Sequence, residues 1–356
     1  MWGNIIIAFA LAVLASFVIT PYTIRLAKKI GAIDRPEGRK VHTKETPRLG
    51  GIAVVLAFLI SVIYIVMLVG IGEPDVLFKS DEFSSLIGFI IAGIILSCVC
   101  FIDDWKDIKP VFKLLAQVVA AIIICASGIR IEQIVLPFLT VEANVIVSYM
   151  ITIGWIIIVT NAINLIDGLD GLSCGVSFVA CISLIVVFSL HGSTIISIIL
   201  ITALAGAILG FIPYNFNPAR TFIGDVGSNF LGFSLAVISI LGTAKTYTAL
   251  VLVAPILVLA LPLFDTIFAI IRRLIKGKSL KAVFKADRGH LHHRLVDRGF
   301  SQKHSVMILY GISLAIGIFT IILIESGIWN ALSFALIVIA LAGAGYKDIL
   351  KLKKEK

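Results

Sequence analysis

The chain has 356 residues, 59% of them hydrophobic and 14% charged, with a formal net charge of +9 and a mean hydropathy of +1.09. No soluble domain of this length needs so much apolar surface, and apolar runs of about 18–20 residues recur from end to end, long enough to cross a bilayer. A porin-like barrel is excluded, because its strands alternate with period two and these runs are continuous.

The first run, Trp2 to Thr20, has no basic segment ahead of it, and Arg25, Lys28 and Lys29 follow it. That order predicts a retained first helix starting outside, not a cleaved signal peptide. The chain then predicts about eleven spans, near 4–24, 49–70, 85–102, 112–128, 144–160, 173–190, 194–212, 228–243, 248–271, 305–324 and 329–346. All Lys and Arg except Lys79, Arg130 and Lys245 fall in or at the edge of loops 25–48, 103–111, 161–172, 213–227, 272–304 and the tail from Lys347. By the positive-inside rule these loops are cytoplasmic, with the amino terminus outside and the carboxyl terminus inside. The basic excess is therefore mostly topological, with some left for anionic lipids or substrates, and does not call for nucleic acid.

The predicted fold class is an all-α polytopic membrane protein: one integral domain, 1–356, without internal repeats, carrying a cytoplasmic basic and histidine-bearing loop at 272–304. The cysteines Cys98, Cys100, Cys125, Cys174 and Cys181 lie in or beside apolar spans without metal-ligand spacing, and read as buried small hydrophobes.

Acids collect on the basic side. Asp103, Asp104 and Asp107 end the third span, and on a helix Asp103 and Asp107 would share a face. Such carboxylates repel unless a cation lies between them, and Mg²⁺ takes hard oxygen ligands of this kind; a solvated loop with Lys106 and Lys109 as partners fits equally well. Asn161, Asn164, Asp167 and Asp170 recur every third residue, a polar stripe broken by Gly168 and Gly171. An ionised group at the centre of a membrane helix costs about 2.5–3.5 kcal/mol on insertion scales, so residues of this kind usually mark a working site. The alternative is a short polar hairpin.

Further on, Pro213 and Pro218 are expected to stop helices. Gly224 and Gly227 flank Asp225 and leave its carboxylate on tight backbone, although a proline-rich turn is the simpler reading of that segment. The last motif is His290-Leu-His-His293 in the 272–304 loop, which holds ten Lys and Arg against Asp287 and Asp297. No cysteine or acid stands at a usual zinc spacing, so Arg288, Arg294 and the histidines suit a polyanionic phosphate, with a purely topological basic loop as the alternative. Taken together, metal-binding acids and a basic loop in a membrane frame suggest a diphosphate meeting a lipid.

With these motifs in order, nearly the whole chain resembles the polyprenyl-phosphate N-acetylhexosamine-1-phosphate transferases. The resemblance rests on Arg39–Gly51, Asp103-Asp104-x-x-Asp107, Asn161–Leu172, Gly224-Asp225-Val-Gly-Ser228 and His290-Leu-His-His293. It implies a Mg²⁺-dependent enzyme, with Mn²⁺ as the alternative ion, that moves a sugar-1-phosphate from a UDP-sugar to undecaprenyl phosphate and releases UMP. It further implies Asp225 as metal ligand with Asn164 close by, and Asp103 as the group that deprotonates or orients the lipid phosphate, with Asp104 beside it. Lys113 is implied to bind the diphosphate, and Asp167, Asp170, Asn215 and Phe222 to line the nucleotide site, Phe222 by stacking on uracil. Arg288, His290, His292 and His293 fall to phosphate or sugar.

The His-x-His-His form resembles the branch using UDP-N-acetylglucosamine, and so an enzyme starting teichoic acid linkage units or related surface glycans in the bacterial plasma membrane. UDP-N-acetylgalactosamine or a muramyl-pentapeptide nucleotide is the alternative donor. Lys40, His42, Lys44 and Arg48 are expected at the site without individual roles, and the reading allows a homodimer. A secondary transporter should instead show repeat symmetry and charges at the membrane midplane, and a lipid-binding scaffold would not need three converging acidic motifs.

Overall fold

The computed structural model describes residues 2–36, 45–72, 81–136, 139–243, 249–277 and 289–354. Lys40, His42, Lys44 and Arg288 lie outside the described residues. The rest is all-α, with two short antiparallel hairpins. In chain order the helices are α1 (Trp2–Ile30), α2 (Gly50–Gly72), α3 (Asp81–Lys106), α4 (Pro110–Ala126), α5 (Val145–Ile166), α6 (Leu172–Leu190) and α7 (Ile195–Asn215). They continue with α8 (Gly224–Thr243), α9 (Ala249–Val258), α10 (Ala260–Gly277), α11 (Leu291–Asp297), α12 (Gln302–Ser326) and α13 (Ile328–Lys354).

Eight of these are long and apolar enough to cross a membrane: α1, α2, α3, α5, α6, α7, α8 and α12. Two further apolar helices, Pro110–Ala126 and Ile328–Gly343, are shorter. Each expected span is thus met by helix except the ninth, which is two helices, α9 and α10, meeting at Leu259. Pro213 does not stop its helix; it sits in the last turn of α7, which ends two residues later. Of the cysteines expected to be buried, Cys98 is exposed.

The centre of the bundle is α8, 94% buried along its apolar window, against 28% for α1 and 22% for α12. It packs against α2, α3, α5, α6 and α7. Lipid tails are as apolar as leucine, so close packing at small residues, not water exclusion, drives helices together here. Gly232 meets the Thr160 backbone and Gly51 meets Gly227 with no room for a Cβ on either glycine. Deeper in, Phe58 packs edge-on to Phe89 and Phe230, with ring centroids 5.7 and 5.4 Å apart, and Phe89 stacks on Phe233 at 5.6 Å. The outer helices turn large apolar side chains such as Phe17, Ile146 and Leu336 outward, as a lipid-facing surface requires.

One end of the bundle is prepared for polar chemistry. There α3, α5 and α7 finish and α4, α8 and α12 begin. The hairpin β1 (Ile33–Asp34) with β2 (Thr46–Pro47) lies at this end. The chain leaving β2 binds the start of α8: Phe222 N donates to Pro47 O, and Gly50 and Gly51 donate to Phe222 O and Ile223 O. This clamp carries Arg48 onto the amino terminus of α8.

Candidate active site

Glycine at 224 makes the site possible. Its φ is +68°, and a Cβ there would collide with the Arg48 carbonyl. The next residue, Asp225, opens α8 and points its carboxylate among the helix ends. Asp225 Oδ1 accepts from Asn164 Nδ2 at 2.8 Å and lies 3.1 Å from Lys113 Nζ. Lys113 Nζ in turn sits 2.8 Å from Asp103 Oδ2, so one ammonium bridges two carboxylates contributed by α3 and α8. Asp103 Oδ1 accepts from Ile108 N, closing the end of its own helix.

Asp104 does different work from its neighbour. Its two oxygens accept from Asp225 N and Val226 N, each at 2.9 Å, so it caps α8 from α3. Buried and committed in this way, Asp104 shapes the site from behind. The donors it occupies are those a helix start would otherwise offer an anion.

Arg48 faces four carboxylates. Its Nη1 is 3.2 Å from Asp107 Oδ1 and 3.9 Å from Asp34, its Nε 3.5 Å from Asp104 Oδ1, and its Nη2 3.9 Å from Asp225 Oδ2. Burial works against its charge, but the carboxylates outweigh that and hold Arg48 above its ordinary pKa. The expected face shared by Asp103 and Asp107 is not formed. The helix ends at Lys106, Asp107 takes a left-handed φ of 49°, and its side chain is 83% exposed while that of Asp103 is 6% exposed. Arg48 reaches Asp104 and Asp107 instead, while Asp103 is held by Lys113.

Behind Asp225 runs a buried chain of amides. Asn161 Nδ2 donates to Gln117 Oε1 at 2.7 Å, Gln117 Nε2 to Asn229 Oδ1 at 2.8 Å, and Asn229 Nδ2 to Asp225 O at 2.9 Å. Asn161 donates, Gln117 and Asn229 each receive and then donate, and the chain ends on the backbone carbonyl of Asp225, so α5, α4 and α8 are locked together beside it.

The polar stripe of the sequence divides between helix and turn. Asn161 and Asn164 lie in α5, and Asp167 caps its end. Asp170 sits in the turn before α6, where its Oδ2 accepts from Asn217 Nδ2 and Ala219 N at 2.9 and 3.0 Å. Asp167 accepts from Ser173 Oγ at 2.6 Å. Burial, opposed by that hydrogen bond and helped by Asp225 and Asp170, pushes the Asp167 carboxyl up to about 7.

One cavity of about 400 Å³ opens onto part of this arrangement: Arg48, Asp104, Asn164, Asp167, Asp170 and Asp225 are on its walls, whereas Lys113 touches Asp225, and Asp103 touches Lys113, without lining it. Asn215 and Phe222 close it on the side of α7, and His293 and Gln302 on the side of α11 and α12. Asn215 Nδ2 donates to Thr221 O, and its buried Oδ1 has no partner among the described residues.

The histidine motif departs from expectation. Only His293 of the three lines this cavity. His290 is buried against Asp265, with Nδ1 2.8 Å from Oδ2. His292 is buried against Gly168. Burial, with His293 and His290 adding to it, pulls its pKa down to about 3, so it is a neutral wedge and not a counter-charge for phosphate. Asp265, an acid inside the ninth expected span, is a residue the hydropathy reading passes over; its signal was a lone charge among Pro262, Leu263, Phe264 and Phe268.

Among the described residues no group of three His, Cys, Asp or Glu forms a metal cage. Asp225 and Asn164, both on the cavity wall, do fit Mg²⁺, which takes one or two carboxylates and completes its shell with phosphate oxygens and water.

A helical membrane frame whose helix ends gather carboxylates, cations and amides around one polar cavity defines an integral membrane enzyme built for phosphate chemistry. Residues 86–243, which hold most of those helix ends, match the family model described as glycosyl transferase family 4. Over 94% of its length the chain is 38% identical to a Bacillus subtilis protein named "probable undecaprenyl-phosphate N-acetylglucosaminyl 1-phosphate transferase", covering 89% of that protein. It is 30% identical over 86% of its length to a Mycobacterium tuberculosis decaprenyl-phosphate N-acetylglucosaminephosphotransferase, covering 78% of that protein. It is also 30% identical over 91% of its length to a phospho-N-acetylmuramoyl-pentapeptide-transferase of Shouchella clausii, covering 97% of that protein. The chain belongs to glycosyl transferase family 4.

Proposed function

We propose that the protein transfers N-acetylglucosamine-1-phosphate from UDP-N-acetylglucosamine to undecaprenyl phosphate at the cytoplasmic face of the bacterial plasma membrane, releasing UMP. The observation that carries this reading is the Asp103–Lys113–Asp225–Asn164 cluster, with Arg48 beside it, which meets the cavity at Asp225 and Asn164. The names of the relatives from Bacillus subtilis and Mycobacterium tuberculosis support the donor sugar and the polyprenyl acceptor.

In this mechanism an oxygen of the lipid phosphate attacks the sugar-bearing phosphorus. The bond to the bridging oxygen breaks, and UMP departs with that oxygen. Such a transfer needs positioning and charge neutralisation more than covalent help from the protein. Lys113 and Arg48 supply cationic donors for the oxygens of the diphosphate and the attacking phosphate. Asp103 orients Lys113 and takes or steers the proton of the lipid phosphate. Asp225 and Asn164 would hold Mg²⁺, which supplies further neutralisation of the transferring phosphate. Asp104 keeps the start of α8 in place. Phe222, with Asn215 on the same cavity, offers a face for uracil. The product would be the first lipid-linked sugar of a teichoic acid linkage unit or a related surface glycan.

A comparison of donors tests the assignment. Purified protein given undecaprenyl phosphate and Mg²⁺ should form lipid-linked sugar fastest with UDP-N-acetylglucosamine. Faster product formation from UDP-N-acetylgalactosamine or UDP-N-acetylmuramyl-pentapeptide would overturn the donor, and no product from any of them would overturn the reaction.

A further inference from the structure

The cavity chemistry leaves one buried ionisable pair unused. Asp265 lies in α10 between the outward-facing Phe264 and Phe268, and it is itself buried. An acid in so apolar a helix is costly unless it is paired and its oxygens are satisfied. Both oxygens are: Oδ2 lies 2.8 Å from His290 Nδ1, and Oδ1 accepts from Leu291 N at 2.9 Å. On the other side of the ring, Arg273 Nη2 lies 3.4 Å from His290 Nε2. A guanidinium only donates, so Nε2 is the acceptor and Nδ1 carries its proton toward Asp265. Arg272 Nη1 adds a bond to Gly289 O at 2.8 Å. Ile166, Leu172, Val176 and Leu309 close around Asp265 and His292.

We propose that Asp265 is a positioning residue for the transfer: through His290 it holds the start of α11 in the register that sets His293 on the wall of the cavity. From His290 to His293 is less than one helical turn, so fixing the first ring fixes the direction of the last. The intervening His292 is locked as well. It stacks parallel to His290, centroids 5.7 Å apart, and fills the space left by the missing side chain of Gly168. His292 and His293 are in ring contact at 4.2 Å. The pair at Asp265 therefore acts on the cavity without touching it.

This inference rests on the transfer reaction proposed above. Release of UMP by the unaltered protein tests that reaction, and comparison among variants tests this one. Asp265→Asn keeps the acceptor for Leu291 N but sets an amide donor against the Nδ1 proton of His290; turning the tautomer over instead opposes the Arg273 donor. With purified protein, UDP-N-acetylglucosamine and undecaprenyl phosphate, Asp265→Asn should lower kcat/KM about ten- to a hundredfold, the range typical of outer partners that orient a ligating side chain. His293→Ala should lower it as well, and the double variant should be no worse than His293→Ala alone, because both act through one side chain. Wild-type turnover by either single variant, or losses that multiply in the double, would overturn the proposal. Should Asp265→Asn fail to fold, Gly168→Ala tests the same placement from the cavity side. It displaces His292 and should likewise add nothing to His293→Ala; an additive loss there would count equally against the proposal.

Discussion

The two walls of the cavity are built on different plans. On the wall of α3, α4, α5 and α8, every polar group is held from several directions: Asp225 by Lys113, Asn164 and the amide chain, Asp104 by two backbone donors and Arg48. The opposite wall depends on a short helix, α11, tied to α10 through Asp265. A cross-linked wall suits charges that must stay close without collapsing or repelling. The wall of α11 is held mainly through the residues just before it and at its start, next to Arg272, Arg273 and Asp265. Losing one residue should therefore act differently on the two sides.

The largest effect is expected at Asp225. Asp225→Ala removes the carboxylate on which Lys113, Asn164 and Arg48 converge, and turnover should fall by roughly a thousandfold or more in the lipid-product assay. Activity within tenfold of wild type would remove Asp225 from the centre of the site. Asp104→Asn comes next, and here stability should move with activity. One of the two backbone N–H groups at the start of α8 loses its acceptor, at about 1–2 kcal/mol, read as a lower thermal midpoint in detergent. An unchanged midpoint with lost turnover would instead make Asp104 a chemical participant.

A smaller loss should follow from breaking the amide chain. Gln117→Leu leaves Asn161 and Asn229 without their shared partner, at about 1–3 kcal/mol, and should reduce turnover without raising KM for the UDP-sugar. If KM alone rises, the chain is a substrate contact and not a support for Asp225.

The smallest effect concerns pH. The Asp167 carboxyl holds its proton to about 7 in the fold, against 3.8 for the free group. The folded protein therefore binds more protons than the unfolded chain between those values, and the stability this contributes is complete below the lower value and lost as pH rises through the upper. Asp167→Asn should accordingly flatten the dependence of the thermal midpoint between about pH 5 and 8. A dependence that survives the substitution would assign it to other groups.

Much of this arrangement was legible in the chain, and the exceptions share a cause. Continuous apolar runs and the placement of basic residues predict the helices, because bilayer thickness imposes a length and composition on each one. The gathering of Asp103, Asn164 and Asp225 was legible for the same reason, since alternating spans bring those helix ends together. What escaped were relations between residues distant in sequence. Arg48 has no motif that announces four carboxylates around it. Gln117 and Asn229 look like isolated polar residues in apolar helices until α4 and α8 are side by side. Asp265 vanished into the average of an apolar run, which also hid the break at Leu259. His292 looked like a phosphate ligand because spacing does not reveal that Gly168 leaves a socket for it.

The identity of the nucleotide released distinguishes phosphoryl transfer from sugar transfer. Purified protein in detergent or nanodiscs, given undecaprenyl phosphate, Mg²⁺ and UDP-N-acetylglucosamine, should release UMP in step with lipid product carrying two phosphates. Release of UDP, with a lipid product carrying a single phosphate, would place the broken bond at the sugar and not between the phosphates, and would rule out the proposed phosphoryl transfer.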